Sequence, residues 1–296
     1  MRPRGEVPGA ISLIARGDRD YPASLQELRY PPERVYAMGD RRLLRASPGR
    51  LVAIVGTREA SPYGVRVATE LAKAFAAAGI GVVSGLARGI DSVAHRAVLE
   101  AGGHTVAVLG TGVDVPYPAA HQGLHAELVA KGLVLSEFEP GAPAALGSFP
   151  RRNRIIAALA QVTIVVEAPY KSGAINTAAH ALELGRIVAA VPGQIDSGRS
   201  AGANLLLRDG AQVIASLEDA LGLFGESRKA AADTPPLGQL ETAVWNALAL
   251  GAAGPELLGA RAGIPVRQVL EGVARLELGG LVQQSPTGEV ERLLLR

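Results

Sequence analysis

Several glycine-bearing segments, most with a cation of their own, have the residue types and spacing that hold phosphate. Gly56-Thr57-Arg58, Ser84-Gly85-Leu86-Ala87-Arg88-Gly89 and Gly110-Thr111-Gly112 each follow an apolar run, and Lys171-Ser172-Gly173 follows a further one. Glycine-supported backbone N–H groups at a helix start form a natural cradle for phosphate. Arg58, Arg88 and Lys171 add positive charge to three of these segments. Glycines also make plain tight turns, but three loops with a cation each favour an anionic polymer or a nucleotide. Another segment, Phe149-Pro150-Arg151-Arg152-Asn153-Arg154, sets one aromatic ring beside three arginines. Such a ring offers a flat face to a base, while guanidinium groups fork onto phosphates. Only Arg151 and Arg154, three apart, share a helix face. The alternative is that Phe149 caps a core and the arginines coat a helix.

Other chemistries find little support. Gly110-Thr111-Gly112 is followed by Val113-Asp114-Val115, without the third glycine of a dinucleotide fingerprint, and Lys171-Ser172 lacks the preceding glycines of a P-loop. Asp91 and His95 lie four apart near a helix start, where Asp91 can cap and His95 can pack. His121 and His125 are also four apart, but no carboxylate stands at metal-site spacing. No serine sits in a nucleophile-elbow sequence. The chain has no cysteine, which excludes disulfides and thiolate chemistry and fits a reducing cytosol. No catalytic residue, metal or cofactor is expected, and the chain reads as a binding protein rather than an enzyme.

The elements that position these segments follow from the hydrophobic pattern. Apolar runs at 51–55, 81–84, 104–109, 133–136, 162–167 and 186–190 predict strands. Helices are predicted near 64–78, 92–101, 122–131, 151–160 and 174–184. Strands buried on both faces and separated by such helices form a parallel doubly wound sheet. Ligands of that architecture sit beyond the carboxyl ends of the strands, where the glycine loops fall.

The chain of 296 residues divides into four parts: an N-terminal extension packing on the sheet domain (1–50), the sheet domain (51–225), a linker (226–238) and a C-terminal domain (239–296). Residues 1–50 are rich in proline and arginine with little periodicity. The polar, alanine-rich segment 225–238 ends near two prolines and reads as a linker. Helices at 239–249, 255–262 and 265–277, then strands at 280–284 and 290–294 around a turn at 285–288, make a winged-helix pattern. In the third helix Val269, Leu270, Val273 and Leu276 are expected to form one buried face.

Hydrophobic residues make up 48% of the chain, yet the longest apolar runs fall far short of the roughly 20 residues a membrane span needs. The N-terminal MRPRGEVPGA is basic without an apolar core, so no secretory signal is read and the expected location is cytoplasmic. Net charge is +2, and of 30 basic residues only Lys73, Lys131, Lys171 and Lys229 are lysines. Residues 239–296 hold five arginines and six glutamates, and Arg267 is followed one turn later by Glu271. A carboxylate there repels phosphate, so the C-terminal domain is expected to bind DNA weakly and to serve a protein contact or regulation instead.

Gly56-Thr57-Arg58, SGLARGIDSVAH at 84–95, GTGVDVPYP at 110–118, FPRRNRII at 149–156, KSGAINTAAHALELGR at 171–186 and GANLLLRDG at 202–210 occur in that order. Together they resemble the DprA/Smf family, the DNA-processing proteins of bacterial natural transformation, over about residues 20–225. The resemblance implies a Rossmann-like domain that binds single-stranded DNA, a homodimer, and loading of RecA onto incoming strands. It assigns Arg58 to phosphate at the end of the first strand. It places Phe149, Arg151, Arg152 and Arg154 along the strand-binding pocket, with Lys171, Ser172 and Gly173 opposite. Gly56, Thr57, Arg88 and Thr177 complete the candidate DNA-binding set. Two departures stand out: too little chain precedes residue 20 for the helical module some members carry, and Leu146 stands where some relatives place a basic residue. The rival reading is a nucleotide phosphoribohydrolase on a similar Rossmann variant. That group carries a catalytic glutamate in a Pro-Gly-Gly-x-Gly-Thr-x-x-Glu stretch. Here His180 occupies the glutamate's place, and Glu183 stands one turn on.

Overall fold

The computed structural model describes residues 10–44, 50–226, 237–248, 251–285 and 288–292. Much of the expected linker (227–236), the tip of the expected C-terminal turn (286–287) and residues 293–294 of its second strand lie outside the described residues. Two compact units separate, Met1–Arg228 and Lys229–Arg296.

In the first unit the elements run β1 (Ser12–Ala15), β2 (Arg34–Gly39), β3 (Leu51–Val55), α1 (Pro62–Ala77), β4 (Gly81–Ser84), α2 (Ile90–Glu100), β5 (Thr105–Leu109), α3 (Gln122–Lys131) and β6 (Leu133–Ser136). They continue through α4 (Ser148–Leu159), β7 (Val162–Val165), α5 (Gly173–Glu183), β8 (Ile187–Ala190), α6 (Ala201–Arg208), β9 (Gln212–Val213) and α7 (Leu217–Gly222). One sheet results, in the order β1-β2-β6-β5-β4-β3-β7-β8-β9. From β6 to β9 every pairing is parallel, whereas β1 pairs with β2, and β2 with β6, antiparallel. The N-terminal extension therefore does more than pack on the sheet, because it adds two strands to one side of it, β1 at the edge and β2 between β1 and β6. Its alternation is short: Val35 and Ala37 enter the core cluster on one face while Tyr36 joins a cluster with Leu86 and Leu109.

Strand β3 shows how both faces are covered. Val52 and Ile54 pack with Leu71, Phe75 and Ile90 of α1 and α2, while Ala53 and Val55 pack with Ile155, Ile156 and Ala178 of α4 and α5. β3 is also where the strand order reverses, with β4 on one side and β7 on the other, both in parallel register. Such a switch point opens a crevice at the carboxyl ends. Gly56 stands there because space is lacking: a Cβ would fall 2.5 Å from Ile90 Cγ1 and 2.9 Å from the Glu167 carbonyl oxygen.

The second unit holds α8 (Gln239–Ala247), α9 (Pro255–Ala262), α10 (Val266–Leu278) and an antiparallel pair, β10 (Val282–Gln284) and β11 (Val290–Arg292). Ala253 adds a bridge to Val290, giving the hairpin a third edge. Val269, Val273 and Leu276 enter the core of this unit. Leu270 does not: it is 49% exposed, because the interior instead takes Gly272, where a Cβ would lie 2.9 Å from Val244 Cγ2.

Candidate nucleic-acid interface

Four strand ends and the start of α4 build the candidate site. At the end of β3 the Thr57 N–H donates to the Glu167 carbonyl at 2.7 Å, and its own carbonyl accepts from Ile90 N at 3.2 Å. The Thr57 hydroxyl accepts from Glu59 N at 3.2 Å. Thr57 is thereby locked and buried, and the next residue, Arg58, projects into solvent. Its guanidinium lies 5.8 Å from the centroid of the Phe149 ring. Phe149 rests over the end of β5, where only glycine fits: a Cβ on Gly110 would fall 2.8 Å from Phe149 Cδ1. Across the ring stands Tyr117, centroids 5.0 Å apart and tilted by 36°. Tyr117 is 44% exposed. A cation and two aromatic faces thus meet at the mouth of the crevice, the combination that stacks a base beside a phosphate. Tyr117 was absent from the sequence-derived set, although an aromatic residue soon after a strand-end glycine was a usable signal.

Arg152 departs from the expected role. It is 4% exposed, and its Nη1 donates to the Gly85 carbonyl at 2.6 Å and to the Val108 carbonyl. Gly85 leaves room for that guanidinium, since a Cβ there would lie 2.5 Å from Nη1. Burial lowers the Arg152 pKa to about 10, opposed by the charge of Asp91. Asp91, also buried, accepts from Gly85 N at 3.1 Å. Burial pushes its carboxyl above the usual range, and the charge of Arg152 works the other way. Arg152 holds the rim's floor and is not free for phosphate.

The remaining candidates divide similarly. Arg88 and Lys171 are exposed. Arg151 and Arg154 do share a helix face, and both bind the same oxygen of Glu137, at 3.0 and 2.5 Å. Arg151 stays largely in solvent; Arg154 is mostly buried, and burial lowers its pKa. Ser172 caps α5, accepting from Ile175 N at 3.4 Å. Thr177 is buried and donates to the Gly173 carbonyl at 3.0 Å, so neither its hydroxyl nor its backbone meets solvent freely. Asn153, another residue the set lacked, ties α4 to α5 by donating to the Gly173 carbonyl at 3.2 Å and to Asn176 Oδ1 at 3.1 Å.

The loop N–H groups are less available than glycine spacing implied. Besides Thr57 and Gly85, Gly112 donates to the Ala142 carbonyl at 2.8 Å. The α1 start holds the protein's own anion: Ser61 donates through its N–H at 2.9 Å and its hydroxyl at 2.5 Å to the buried Glu167 carboxylate. Positive charge at the rim therefore comes mainly from side chains.

His95, His121 and His125 have structural partners. His121 Nδ1 donates to the Leu86 carbonyl at 2.9 Å and His125 Nε2 to the Val113 carbonyl at 2.9 Å. His95 Nδ1 donates at 2.7 Å to the Thr105 hydroxyl, whose proton goes to the Val82 carbonyl. Among the described residues no group of three His, Asp or Glu side chains is placed to hold a metal ion. Burial, with smaller contributions from the charges of Arg152 and His121, holds His95 down at about 3. The unfolded chain therefore binds a proton below the ordinary value near 6.5 that the folded chain refuses. Stability falls as pH drops from 6.5 towards 3, by on the order of 1 kcal/mol per unit from this residue. Urea titrations between pH 7 and 4.5 are expected to show a shallower pH slope for His95→Gln than for the wild type, and equal slopes would contradict this reading.

The residue that the rival enzyme reading would use has a different setting. Glu183 is the last residue of α5, a helix of 11 residues that starts at the rim. It lies about 15 Å further along the axis, paired with His180 at 3.1 Å.

Sheet order, switch-point crevice and cation-aromatic rim define a class: a Rossmann-like protein with a candidate ligand site at the strand ends and a winged helix on a separate unit. The family model for DNA recombination-mediator protein A matches residues 12–225, and that for the DprA winged helix domain matches 228–288. The chain belongs to the DprA/Smf family. It is 42% identical over 262 residues to a putative DNA processing protein DprA of Mycobacterium tuberculosis, covering 86% of this chain and 67% of that one. The X-ray structure of DNA processing protein A from Streptococcus pneumoniae superposes with a TM-score of 0.68 at 39% identity, over 72% of this chain and 74% of that one. DNA processing protein A from Helicobacter pylori, whose structure addresses its single-stranded DNA binding mode, gives a TM-score of 0.66 at 31% identity, over 72% and 95% of the two chains.

Proposed function

We propose that this chain binds single-stranded DNA without sequence preference at the carboxyl rim of its sheet, and delivers it to RecA in the cytoplasm during transformation and recombination. The observation that carries the DNA-binding part is the Arg58–Phe149–Tyr117 assembly, a phosphate fork against an aromatic platform. Exposed Arg88, Arg151 and Lys171 extend the positive track. Family membership supports the hand-over to RecA. A homodimer joined through the segment after Ala203, where edge strand β9 leaves Val213 exposed, would let two rims share one strand and raise avidity.

The winged helix fits a protein contact better than DNA. Arg275 is held by Glu241 and Glu271, Arg261 donates to the Gly251 carbonyl, and Arg292 stacks on Trp245 at 4.2 Å. Among the described residues of this unit, only Arg267 is an arginine without such a partner.

Fluorescence anisotropy with labelled oligo-dT and a matched duplex, across a salt series, tests the reading. Wild type is expected to prefer the single strand, with the log–log salt slope made shallower by about 0.7 in Arg58→Ala. Duplex binding as tight as single-strand binding, unchanged by Arg58→Ala, would sink the assignment.

A further inference from the structure

Farther along the rim, past the end of β7, another aromatic residue stands on the strand-end side of the sheet. Tyr63 is the second residue of α1, the helix that follows β3. Its neighbour Gly64 presses on the end of β7: a Cβ there would fall 2.3 Å from Glu167 Oε2. The Tyr63 hydroxyl donates to the Pro192 carbonyl at 3.1 Å, just past the end of β8. Tyr63 therefore bridges from α1 to β8 across the end of β7. Its acceptor is fixed in turn, because Gly193 exchanges two hydrogen bonds with the Asn204 side chain, each of 3.0 Å.

The ring is tethered through its hydroxyl, yet Tyr63 remains 38% exposed. The Arg66 guanidinium lies 5.7 Å from the ring centroid. Arg66 is exposed, and among the described residues it has no ion-pair partner. A held ring beside an unpaired cation repeats the pairing of Phe149 with Arg58. The Glu167 carboxylate beneath is buried and taken by Ser61. On the flanking loops the exposed acids Glu59 and Asp196 are offset by Arg58 and Arg199. This stretch is thus no run of cations, and what it offers a strand is chiefly a ring face.

The spacing suits one continuous strand. Phe149 rests over β5, and β8 lies four places from β5 in the sheet, about 19 Å at the usual strand separation. A stacked strand advances about 3.4 Å per nucleotide, so the two rings stand about six nucleotides apart, and fewer for an extended strand.

We propose that Tyr63 and Arg66 form a second stacking platform for the same single strand, which crosses the strand ends from β5 towards β8. The inference rests on the single-strand reading of the rim. One base lies on the exposed part of the Tyr63 ring and its phosphate meets Arg66. Every base has a π-face, so the platform tolerates any sequence. A duplex cannot use it, since its base faces are already stacked on one another.

The test uses the full chain and labelled oligo-dT in two lengths: about three nucleotides, too short to span both platforms, and about twelve. Tyr63→Ala is expected to weaken the long oligonucleotide about five-fold or more, the low end for one stacked base. The short one should keep its wild-type affinity. Tyr63→Phe, which loses the bond to Pro192 but keeps the ring, should bind the long one within about two-fold of wild type. Arg66→Ala should make the log–log salt slope of the long oligonucleotide shallower by about 0.7 and leave that of the short one unchanged. Arg58→Ala should weaken both lengths. If Tyr63→Phe binds as weakly as Tyr63→Ala, the residue is only a strut for the loop after β8, and the platform is overturned. Wild-type affinity of Tyr63→Ala for the long strand, an unchanged salt slope in Arg66→Ala, or equal losses at both lengths would also overturn it while leaving the rim standing. Should Arg58→Ala leave both lengths unaffected, the rim reading itself fails, and the second platform with it.

Discussion

Arg152→Ala is expected to destabilise the sheet unit by about 3–5 kcal/mol, the usual cost of removing one partner from a buried charged arrangement. The side chain is almost wholly buried, and its Nη1 satisfies carbonyls at the ends of two strands, Gly85 after β4 and Val108 in β5. Its Nε donates to Asn153 Oδ1 at 3.2 Å, and Asn153 in turn reaches the start of α5. Truncation therefore releases two carbonyls, removes the bond that braces Asn153, and leaves the buried Asp91 carboxyl without its compensating charge. Lysine is a poor substitute, because the space above Gly85 fits a planar fork and not an ammonium on a flexible stem. Urea unfolding of the variant is expected to show a much lower midpoint, while Arg58→Ala stays within about 0.5 kcal/mol of wild type, as surface changes do. A fully stable Arg152→Ala that binds single strands poorly would restore the direct role that the sequence suggested for this arginine.

The contrast between Arg58 and Arg152 shows what a sequence can disclose. The parallel strands were legible because both their faces are buried, which produces continuous apolar runs such as LVAIV at Leu51–Val55. The crevice followed from them, since strand ends and glycine loops have a fixed relation in this architecture. The strands β1 and β2 were not legible. They are short elements among prolines and arginines, and the pairing of β2 with β6 and of β1 with β2 makes them strands more than their own pattern does. Within FPRRNR, spacing correctly grouped Arg151 with Arg154 on one face, but it could not tell that Arg152 points inward beneath Gly85. That direction depends on how α4 docks against β4 and β5, a tertiary fact. The phosphate-cradle idea was weakened for a related reason. Glycine spacing identifies loops with free N–H potential, yet Glu167 and Asp91, distant or buried in the sequence pattern, take up part of it. Tyr117 reaches the site by folding back over Phe149, again beyond what a one-dimensional pattern records.

Phe149→Ala is the substitution expected to cost most in DNA binding without unfolding the chain. Its ring joins the other two members of the rim: Arg58 at 5.8 Å and Tyr117 at 5.0 Å both contact it. Truncation removes a stacking face worth about 1–3 kcal/mol for each base that lies on it, so affinity for oligo-dT should fall roughly 5- to 150-fold. It also leaves Arg58 without its aromatic partner, so the arginine loses orientation as well as a favourable contact. Phe149→Tyr and Phe149→Trp, which keep a flat face over Gly110, should retain most of the affinity, whereas Phe149→Leu, matched in apolarity but not in shape, should not. Because ring and cation act as one unit, the double variant Arg58→Ala/Phe149→Ala should bind less weakly than the two single losses combined would imply. Additive losses would mean that the two side chains serve separate parts of the strand. Equal binding by Phe149→Leu and wild type would mean that the ring only caps the core, and the platform would then have to be sought at Tyr117.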